Sequence, residues 1–362
     1  MSRSRRARTG AIAIALAIVL AGCGGSDDDA ADAAATTPAT ESADSTPDSA
    51  PAATEAPEVT APLATDAPPV TEPPVSINPD GTVTVTHDYG TFDIPLQPIR
   101  VLALENRRDL ETAVVLDLPL SGVGVFGGSA ENVAAPFVPV DLDGVEIINN
   151  SELNLEQIAA MDPDLILARD IYLDGGQAEQ LAAIAPILPI AAEGSWRDDL
   201  EQVAGVMQRT ELLDGALAEY DAAVADVSDR HADALASTPV AIVEYYPADQ
   251  TFYAGGVDDF QLQANTLGEL GGELVPFLAD RSYFDQPFSI ENLSEISDAG
   301  AILLVSNSQD DIDALATNPL WQALPAVQAG RVVITDTRTN QGSVFAATES
   351  VRLLDELYST LG

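Results

Sequence analysis

A short pattern occurs twice in this chain, about 135 residues apart. In each copy a glutamate-bearing segment, predicted to be a short capped helix, leads through a turn into an apolar strand. The copies lie at residues 154–168 and 289–305, and their glutamates are Glu156 and Glu291. The repetition favours two similar α/β lobes that each expose a carboxylate at an equivalent place. Matched carboxylates suit docking on a two-fold partner, so we expect a capture protein rather than an enzyme.

Strand and helix signals alternate between residues 101 and 190, as is typical of a parallel sheet with helices on its faces. Residues 211–235 follow with an apolar stripe at helical spacing, and one helix of this length would span roughly 38 Å. The stripe consists of Leu213, Leu217, Tyr220, Val224 and Val227. A new strand begins at Val240. The predicted fold class is therefore α/β, with two lobes that are each a mainly parallel sheet with flanking helices, joined by one long helix.

The N-terminus has the pattern of an export signal. Four arginines within the first eight residues precede an apolar run from Ala11 to Leu20, which is too short to span a bilayer permanently. The following Leu20-Ala21-Gly22-Cys23 resembles a bacterial lipobox, so Cys23 is the predicted lipidation site. Cys23 is the only cysteine, which excludes a disulfide within the chain. The alternative is an ordinary secretory signal with an incidental cysteine.

A low-complexity segment separates this signal from the folded part. Residues 24–77 contain eleven acidic residues and no basic one, and they have too few bulky apolar groups to offset the entropy of ordering. A disordered tether of this length reaches about 40 Å on average. The predicted organisation is a lipoprotein signal peptide (1–23), a disordered acidic tether (24–77), an N-terminal α/β lobe (78–209), a connecting helix (210–238) and a C-terminal α/β lobe (239–362).

Composition excludes several classes of function. The net charge is −43 and all fifteen basic residues are arginine, so nucleic acid is not an expected partner. The only histidines are His87 and His231, which rules out a multi-histidine zinc or manganese site. The glycines at 122, 124 and 127 match a dinucleotide fingerprint as text, but they fall within a strand and its exit rather than at the start of a helix.

Several short motifs in the folded part follow one another in a specific order. They are His87-x-x-Gly90-x-x-x-Ile94-Pro95, Pro98-x-Arg100-Val101, Asp162-Pro163-Asp164-Leu165-Ile166, Trp196-Arg197-Asp198-Asp199-Leu200 and the run from Trp321 to Val332. Over residues 80–362 the chain resembles ABC-transporter substrate-binding lipoproteins of the iron–siderophore and cobalamin class. The resemblance implies a monomer that binds its ligand between two lobes. It also implies that Glu156 and Glu291 dock on the arginines of an ABC permease with its ATPase.

Candidate ligand-binding residues follow from the sheet itself. In open α/β sheets ligands lie at the carboxyl ends of the strands. Arginine offers a rigid fork of donors and tyrosine a flat face with a polar tip. Such groups suit the catecholate, hydroxamate or carboxylate oxygens around ferric iron. The candidates are Arg107, Arg169, Tyr172, Tyr245, Tyr246, Tyr253, Asn307 and Arg338.

The leading prediction is a membrane-anchored, extracytoplasmic receptor that captures a ferric siderophore, with no cofactor and no direct metal ligand of its own. A cobalamin-binding or haem-binding protein of the same fold is the first alternative, and a tyrosine could then ligate haem. A surface α/β hydrolase and an adhesion lipoprotein stay open as well, although the sequence contains no Gly-x-Ser-x-Gly nucleophile motif.

Overall fold

The computed structural model describes residues 76–129, 133–191, 195–283 and 287–362. The predicted signal peptide, Cys23 and nearly all of the predicted tether therefore lie outside the described residues. Within the described part of the chain, no helix is long and apolar enough to cross a membrane.

The first lobe begins with a hairpin and continues as a five-stranded sheet. Its elements are β1 (Thr82–His87), β2 (Gly90–Pro95), β3 (Val101–Ala103), α1 (Arg108–Val115), β4 (Leu120–Val125), β5 (Glu146–Asn149), α2 (Leu155–Ala160), β6 (Leu165–Arg169), α3 (Gln177–Ala182), β7 (Ile187–Ile190) and α4 (Trp196–Val206). The sheet order is β5-β4-β3-β6-β7, and all neighbouring pairs are parallel. Strands β3 and β6 are buried along their whole length because helices cover both faces of a parallel sheet.

The second lobe contains a mixed sheet. Its elements are β8 (Ala241–Tyr246), β9 (Thr251–Tyr253), α6 (Leu262–Glu269), α7 (Pro276–Ala279), β10 (Phe288–Ser289), β11 (Ile302–Val305), α8 (Gln309–Ala316), α9 (Pro319–Gln322), α10 (Pro325–Gln328), β12 (Val332–Thr335) and α11 (Val344–Ser359). The sheet order is β10-β9-β8-β11-β12. Strands β8, β11 and β12 are parallel, whereas β9 and β10 are antiparallel additions at one edge. The predicted fold class of two mainly parallel sheets with flanking helices is confirmed.

One long helix, α5 (Thr210–Leu235), lies between the two lobes in the sequence, as predicted. The predicted stripe faces inward, with Leu213, Tyr220 and Val227 buried. Tyr220 also donates a hydrogen bond to Glu269 Oε2 at 2.9 Å, which joins α5 to the second lobe. The helix bends at His231, where φ is −111°. The described residues of both lobes belong to one compact unit.

The two copies of the repeated pattern differ in one respect from the prediction. In the first copy the side chain of Asn154 accepts hydrogen bonds from the backbone N–H groups of Glu156 and Gln157 and caps α2. The second copy is a 3₁₀ helix, Ile290–Ile296, without a side-chain cap. Ser289, the expected cap, is the last residue of β10 and contacts the side chain of Asn292 instead. The second copy is thus a short helix as expected, but the expected cap is wrong there, and Glu156 and Glu291 are both exposed.

The glycines of the apparent dinucleotide fingerprint have a packing role. Gly122 and Gly124 lie inside β4, and a Cβ atom at Gly124 would lie 1.9 Å from the carbonyl oxygen of Leu104. That carbonyl also accepts a hydrogen bond from Asn150 Nδ2 at 3.1 Å. A glycine is therefore required where β4 passes the end of β3.

We expect Gly124→Ala to lower the free energy of unfolding by at least about 2 kcal/mol, because the backbone must shift to admit the methyl group. Gly205→Ala is the control, since a Cβ atom there meets open space in the last turn of α4. That substitution should stabilise by up to about 1 kcal/mol. Urea denaturation of both variants measures the difference, and equal stabilities would contradict this account of β4.

Candidate ligand-binding cleft

The loops that follow the strands of the two sheets approach each other, and side chains of the first lobe contact the segment before α11. Arg169, at the end of β6, donates from Nη1 to Gln341 Oε1 at 2.9 Å. Arg108, at the start of α1, donates from Nε to the carbonyl oxygen of Gly342 at 3.4 Å. Both arginines are buried. The carboxyl end of the first sheet therefore lies against the second lobe.

Glu111 connects the two lobes through one carboxylate oxygen. Its Oε2 atom accepts hydrogen bonds from the backbone N–H groups of Ser343, Phe345 and Ala346 at 2.8, 3.1 and 3.1 Å. A carboxylate on α1 thus caps the N-terminus of α11, whose unpaired N–H groups and helix dipole favour a negative charge. Burial nevertheless raises the pKa of Glu111 to about 7, against the lowering effect of the three hydrogen bonds.

Buried charges in the first lobe compensate one another. Arg108 Nη1 lies 2.6 Å from Asp199 Oδ2. Asp109 Oδ2 accepts from the backbone N–H groups of Glu105 and Arg169 at 3.0 and 3.2 Å. Burial raises the pKa values of Asp109 and Asp199 and lowers that of Arg108. Since removal of one member would leave an unpaired buried charge, this network holds the strand ends in fixed positions.

A series of ring contacts crosses the second lobe towards Arg169. The guanidinium of Arg169 lies 5.9 Å from the ring centroid of Phe260. Centroid distances are 5.3 Å from Phe260 to Tyr283, 5.7 Å from Tyr283 to Tyr253 and 4.8 Å from Tyr253 to Tyr246. We call Tyr246, Tyr253, Phe260 and Tyr283 the aromatic wall. Its members are half-buried or exposed, so the wall offers flat apolar area together with phenol groups.

A buried carboxylate lies behind the aromatic wall. Glu244 in β8 is 3% exposed, and its Oε2 atom accepts from the Tyr283 hydroxyl and from Asn340 Nδ2. Burial, followed by the charge of Glu244, raises the pKa of Tyr283. Tyr283 therefore stays a neutral donor. Its phenol holds the loop after α7 against β8.

The predicted ligand residues fall into three groups. Arg169, Tyr246 and Tyr253 lie at the aromatic wall. Tyr172 is half-buried. Burial, followed by the negative charge of Glu105, raises its pKa to about 12, whereas the positive charge of the nearby Arg107 lowers it. Arg107 is half-buried, and its guanidinium makes no hydrogen bond or ion pair with the residues that the structure describes.

Three other candidates make contacts within the second lobe: Tyr245, Asn307 and Arg338. Tyr245 is 7% exposed and packs on Phe252 with ring centroids 5.0 Å apart. Side chains alternate along a strand, so Tyr245 points into the core and cannot share the face of Tyr246. Asn307 accepts hydrogen bonds from the backbone and hydroxyl of Thr337 at 3.0 and 2.8 Å. Arg338 is paired with Asp336 at 2.5 Å.

Sequence reasoning missed four residues of this region: Glu111, Glu244, Phe260 and Tyr283. Phe260 and Tyr283 lie in loops away from the strand ends, and no pattern marks them. Glu111 had a weak signal, because it lies beside Leu110 on the inward face of α1, where an unpaired carboxylate is not tolerated. Among the described residues, no group of three or more His, Cys, Asp or Glu side chains is placed to hold a metal ion.

Two lobes of this topology, with arginines and tyrosines between them, define a solute-binding protein of the periplasmic type. The chain belongs to the periplasmic binding protein family, whose model matches residues 103–339. The family predicted from the motifs is confirmed, and it is a family of binding proteins rather than of enzymes.

Named relatives extend this assignment. The chain is 26% identical to the probable siderophore-binding lipoprotein YfiY of Bacillus subtilis, over 76% of this chain and 86% of the relative. It is 25% identical to the Fe(3+)-citrate-binding protein YfmC of the same organism, over 70% and 79%.

Solved structures agree with the fold. The siderophore periplasmic binding protein from the fuscachelin gene cluster of Thermobifida fusca has a TM-score of 0.57 and 26% identity, covering 74% of this chain and 98% of that one. Staphylococcus aureus SirA, solved with staphyloferrin B, has a TM-score of 0.60 at 23% identity, covering 77% and 98%, and supports the fold alone.

The raised pKa of Glu111 predicts a pH dependence of stability. An unfolded glutamate titrates near 4.5 and the folded one near 7, so between these values the folded state binds more protons. Protonated Glu111 therefore contributes about 3 kcal/mol to the free energy of unfolding. This contribution is fully present below pH 4.5 and is lost as the pH rises through 7. Glu111→Gln should reduce the loss of stability between pH 5 and 8.

Urea denaturation at the two pH values measures this change. Glu179→Gln, an exposed position on α3, is the control and should retain the dependence of the unaltered protein. If Glu111→Gln loses as much stability as the control, Glu111 does not titrate in this range.

Proposed function

We propose that this protein captures a ferric siderophore between its two lobes and delivers it to an ABC permease with its ATPase. The observation that carries the proposal is the aromatic wall, which reaches from β8 to Arg169 of the opposite lobe. A bulky chelate with an oxygen-rich surface needs flat apolar area and donors that converge from two sides. Relatives named for siderophore and ferric-citrate binding support the same class of ligand.

Each lobe supplies a different part of the proposed site. In the first lobe, Arg107 and Tyr172 would donate hydrogen bonds to ligand oxygens, while Arg169 contacts the wall. In the second lobe, Tyr246 and Tyr253 would cover the organic arms of the chelate. Asn307 and Arg338 would act indirectly at the rim, by holding in position the loop that follows β12. The iron would keep all its ligands from the siderophore, so no protein ligand to the metal is required.

Arg107→Ala should weaken binding of the preferred ferric siderophore by about 1–3 kcal/mol, because it removes a charge-assisted hydrogen bond. Arg352→Ala on the outer face of α11 is the control and should bind normally. Quenching of intrinsic fluorescence by a panel of ferric siderophores measures both. Unchanged affinity in Arg107→Ala would remove this residue from the site. Binding of haem alone, seen as a shifted visible absorption band, would favour the haem alternative over the proposal.

Glu156 and Glu291 are proposed to dock the loaded protein on the permease. Both are exposed and begin matching elements of the two lobes. A shallow surface depression of about 500 Å³, lined by Glu152, Leu153, Asn154, Leu155 and Glu156, lies beside the first of them. Carboxylate–arginine pairs at an interface rim mainly set register and association rate.

The double variant Glu156→Ala with Glu291→Ala should keep full siderophore affinity but lose most uptake of labelled iron in cells. Glu179→Ala with Glu356→Ala removes the same charge at other exposed positions and should transport normally. Normal uptake in the first double variant would refute docking, whereas lost affinity would move these carboxylates into the ligand site.

The protein is further proposed to be tethered outside the cell membrane through an acylated Cys23. Since Cys23 is the only cysteine, Cys23→Ser removes every acylation site of this kind. The expected result is release from the membrane fraction, because each buried CH₂ of an acyl chain contributes about 0.8 kcal/mol of membrane affinity. Retention of Cys23→Ser in the membrane fraction at high salt would contradict the anchor.

A further inference from the structure

The arginines of the folded part can be accounted for completely. Of the fifteen, four precede residue 9, and the others all lie at described positions. The three internal gaps in the described structure read Ala-Glu-Asn, Ala-Glu-Gly and Phe-Asp-Gln, so they add carboxylates and no cation. Because the chain contains no lysine, the permanent positive charge that the described part of the chain can offer a ligand comes from arginines whose positions are known.

Most of these arginines act elsewhere. Several form ion pairs on outer surfaces, such as Arg197 with Asp221 and Arg352 with Glu349. Arg209 donates to backbone carbonyl groups at the end of α1, and Arg100 donates to that of Asp162. Arg331 directly precedes β12 and so lies at the amino end of that strand. Arg281 stacks on Phe277 and Phe288. Four arginines are left at the carboxyl ends of strands or in the segments that follow them: Arg107, Arg108, Arg169 and Arg338.

Three of these four arginines have a carboxylate beside them. Arg108 pairs with Asp199 and Arg338 with Asp336. Arg169 lies close enough to the buried Asp109 for its charge to oppose the rise in the pKa of that carboxyl. Only Arg107 is without such a partner among the described residues.

The second lobe contributes a buried carboxylate of its own, Glu244, behind the aromatic wall. The groups that donate to Glu244, such as Tyr283 and Asn340, are neutral. With the buried Glu105 and Glu111 included, the cleft has more carboxylates than guanidinium groups. Protonation of both Asp109 and Glu111 would bring the two to equality. The cleft therefore has no surplus of positive charge for a ligand.

We infer that the ligand is a neutral or cationic ferric trihydroxamate rather than an anionic catecholate or citrate chelate. This inference rests on the proposed function. Three singly charged hydroxamates cancel the charge of ferric iron, whereas three doubly charged catecholates leave the complex with a triple negative charge. Burying that charge against a balanced cleft costs desolvation free energy that no cation offsets. The net charge of −43 repels an anion at longer range as well.

The other contacts of the cleft agree with a neutral chelate. A ferric trihydroxamate presents a ring of partly negative oxygens and hydrocarbon arms. Arg107 and the phenol groups of the aromatic wall are donors for those oxygens, and the ring faces of Tyr246, Tyr253 and Phe260 suit the arms. A protonated amine on such a ligand would also be attracted by the ring faces and by Glu244. The relatives do not distinguish neutral from anionic chelates, since they are named for ferric citrate, ferric hydroxamate and ferric enterobactin.

The test is a competition on the purified full-length protein in detergent, at fixed pH and ionic strength. Ferrichrome and ferrioxamine are the hydroxamate probes, ferric enterobactin is the catecholate probe, and ferric dicitrate is the carboxylate probe. Fluorescence quenching should give a dissociation constant at least tenfold lower for one hydroxamate than for either anionic chelate. Tighter binding of an anionic chelate would overturn the inference and leave the proposed function intact. Failure of all four to bind would overturn both.

Charge variants separate this effect from simple damage to the site. Glu244→Gln and Asp336→Asn each remove one negative charge, and the second releases Arg338. Either should improve enterobactin affinity relative to hydroxamate affinity several-fold, whereas a merely structural defect would weaken both ligands alike. Asp336→Asn keeps the test possible if Glu244→Gln fails to fold. Glu179→Gln removes the same charge from an outer surface and should leave the ratio unchanged. An unchanged ratio in a folded Asp336→Asn protein would overturn the role of charge balance.

Discussion

The capping of α11 by Glu111 is the contact on which the arrangement of the two lobes depends. One oxygen of a buried carboxylate in the first lobe receives three backbone N–H groups of the second. A helix end in a buried position needs such a partner, and water cannot substitute there. Because α11 also packs on α5 and on the strands of the second lobe, this cap connects the sheet of one lobe to the core of the other.

The position of the cap explains why a small number of cleft residues can bind a large ligand. Arg108 and Arg169 bond to Gly342 and Gln341, which directly precede the residues that Glu111 binds. The spacing between the lobes at this end is therefore set by hydrogen bonds within the protein, before any ligand is present. Groups that are already held in place lose little further entropy on binding. A small set of arginines and aromatic rings then suffices to recognise a large chelate.

The sequence predicted the scaffold well because the scaffold depends on periodicity. The stripe from Leu213 to Val227 has the spacing of a helix whose one face is buried, and α5 follows it. Strands β9 and β10 escaped notice because runs of three and two residues are too short to show alternation. Helix α6 begins at Leu262. There the side chain of Asn265 donates to the carbonyl groups of Val257 and Asp259 and holds the preceding residues as a loop.

The site was predicted only in part, for a different physical reason. The rule that ligands lie at strand ends selects positions in the chain but not the direction of a side chain. It selected Arg169, which reaches the other lobe, and equally Tyr245, which the alternation of β8 turns into the core. Nor does the rule reveal which charges are cancelled. Arg338 looks in the sequence like an available cation, yet Asp336, two residues away, takes its guanidinium. The ligand that such a cleft selects therefore depends on which arginines are paired with nearby carboxylates. The net charge that remains between the lobes, rather than the number of arginines, decides whether an anion can be buried there.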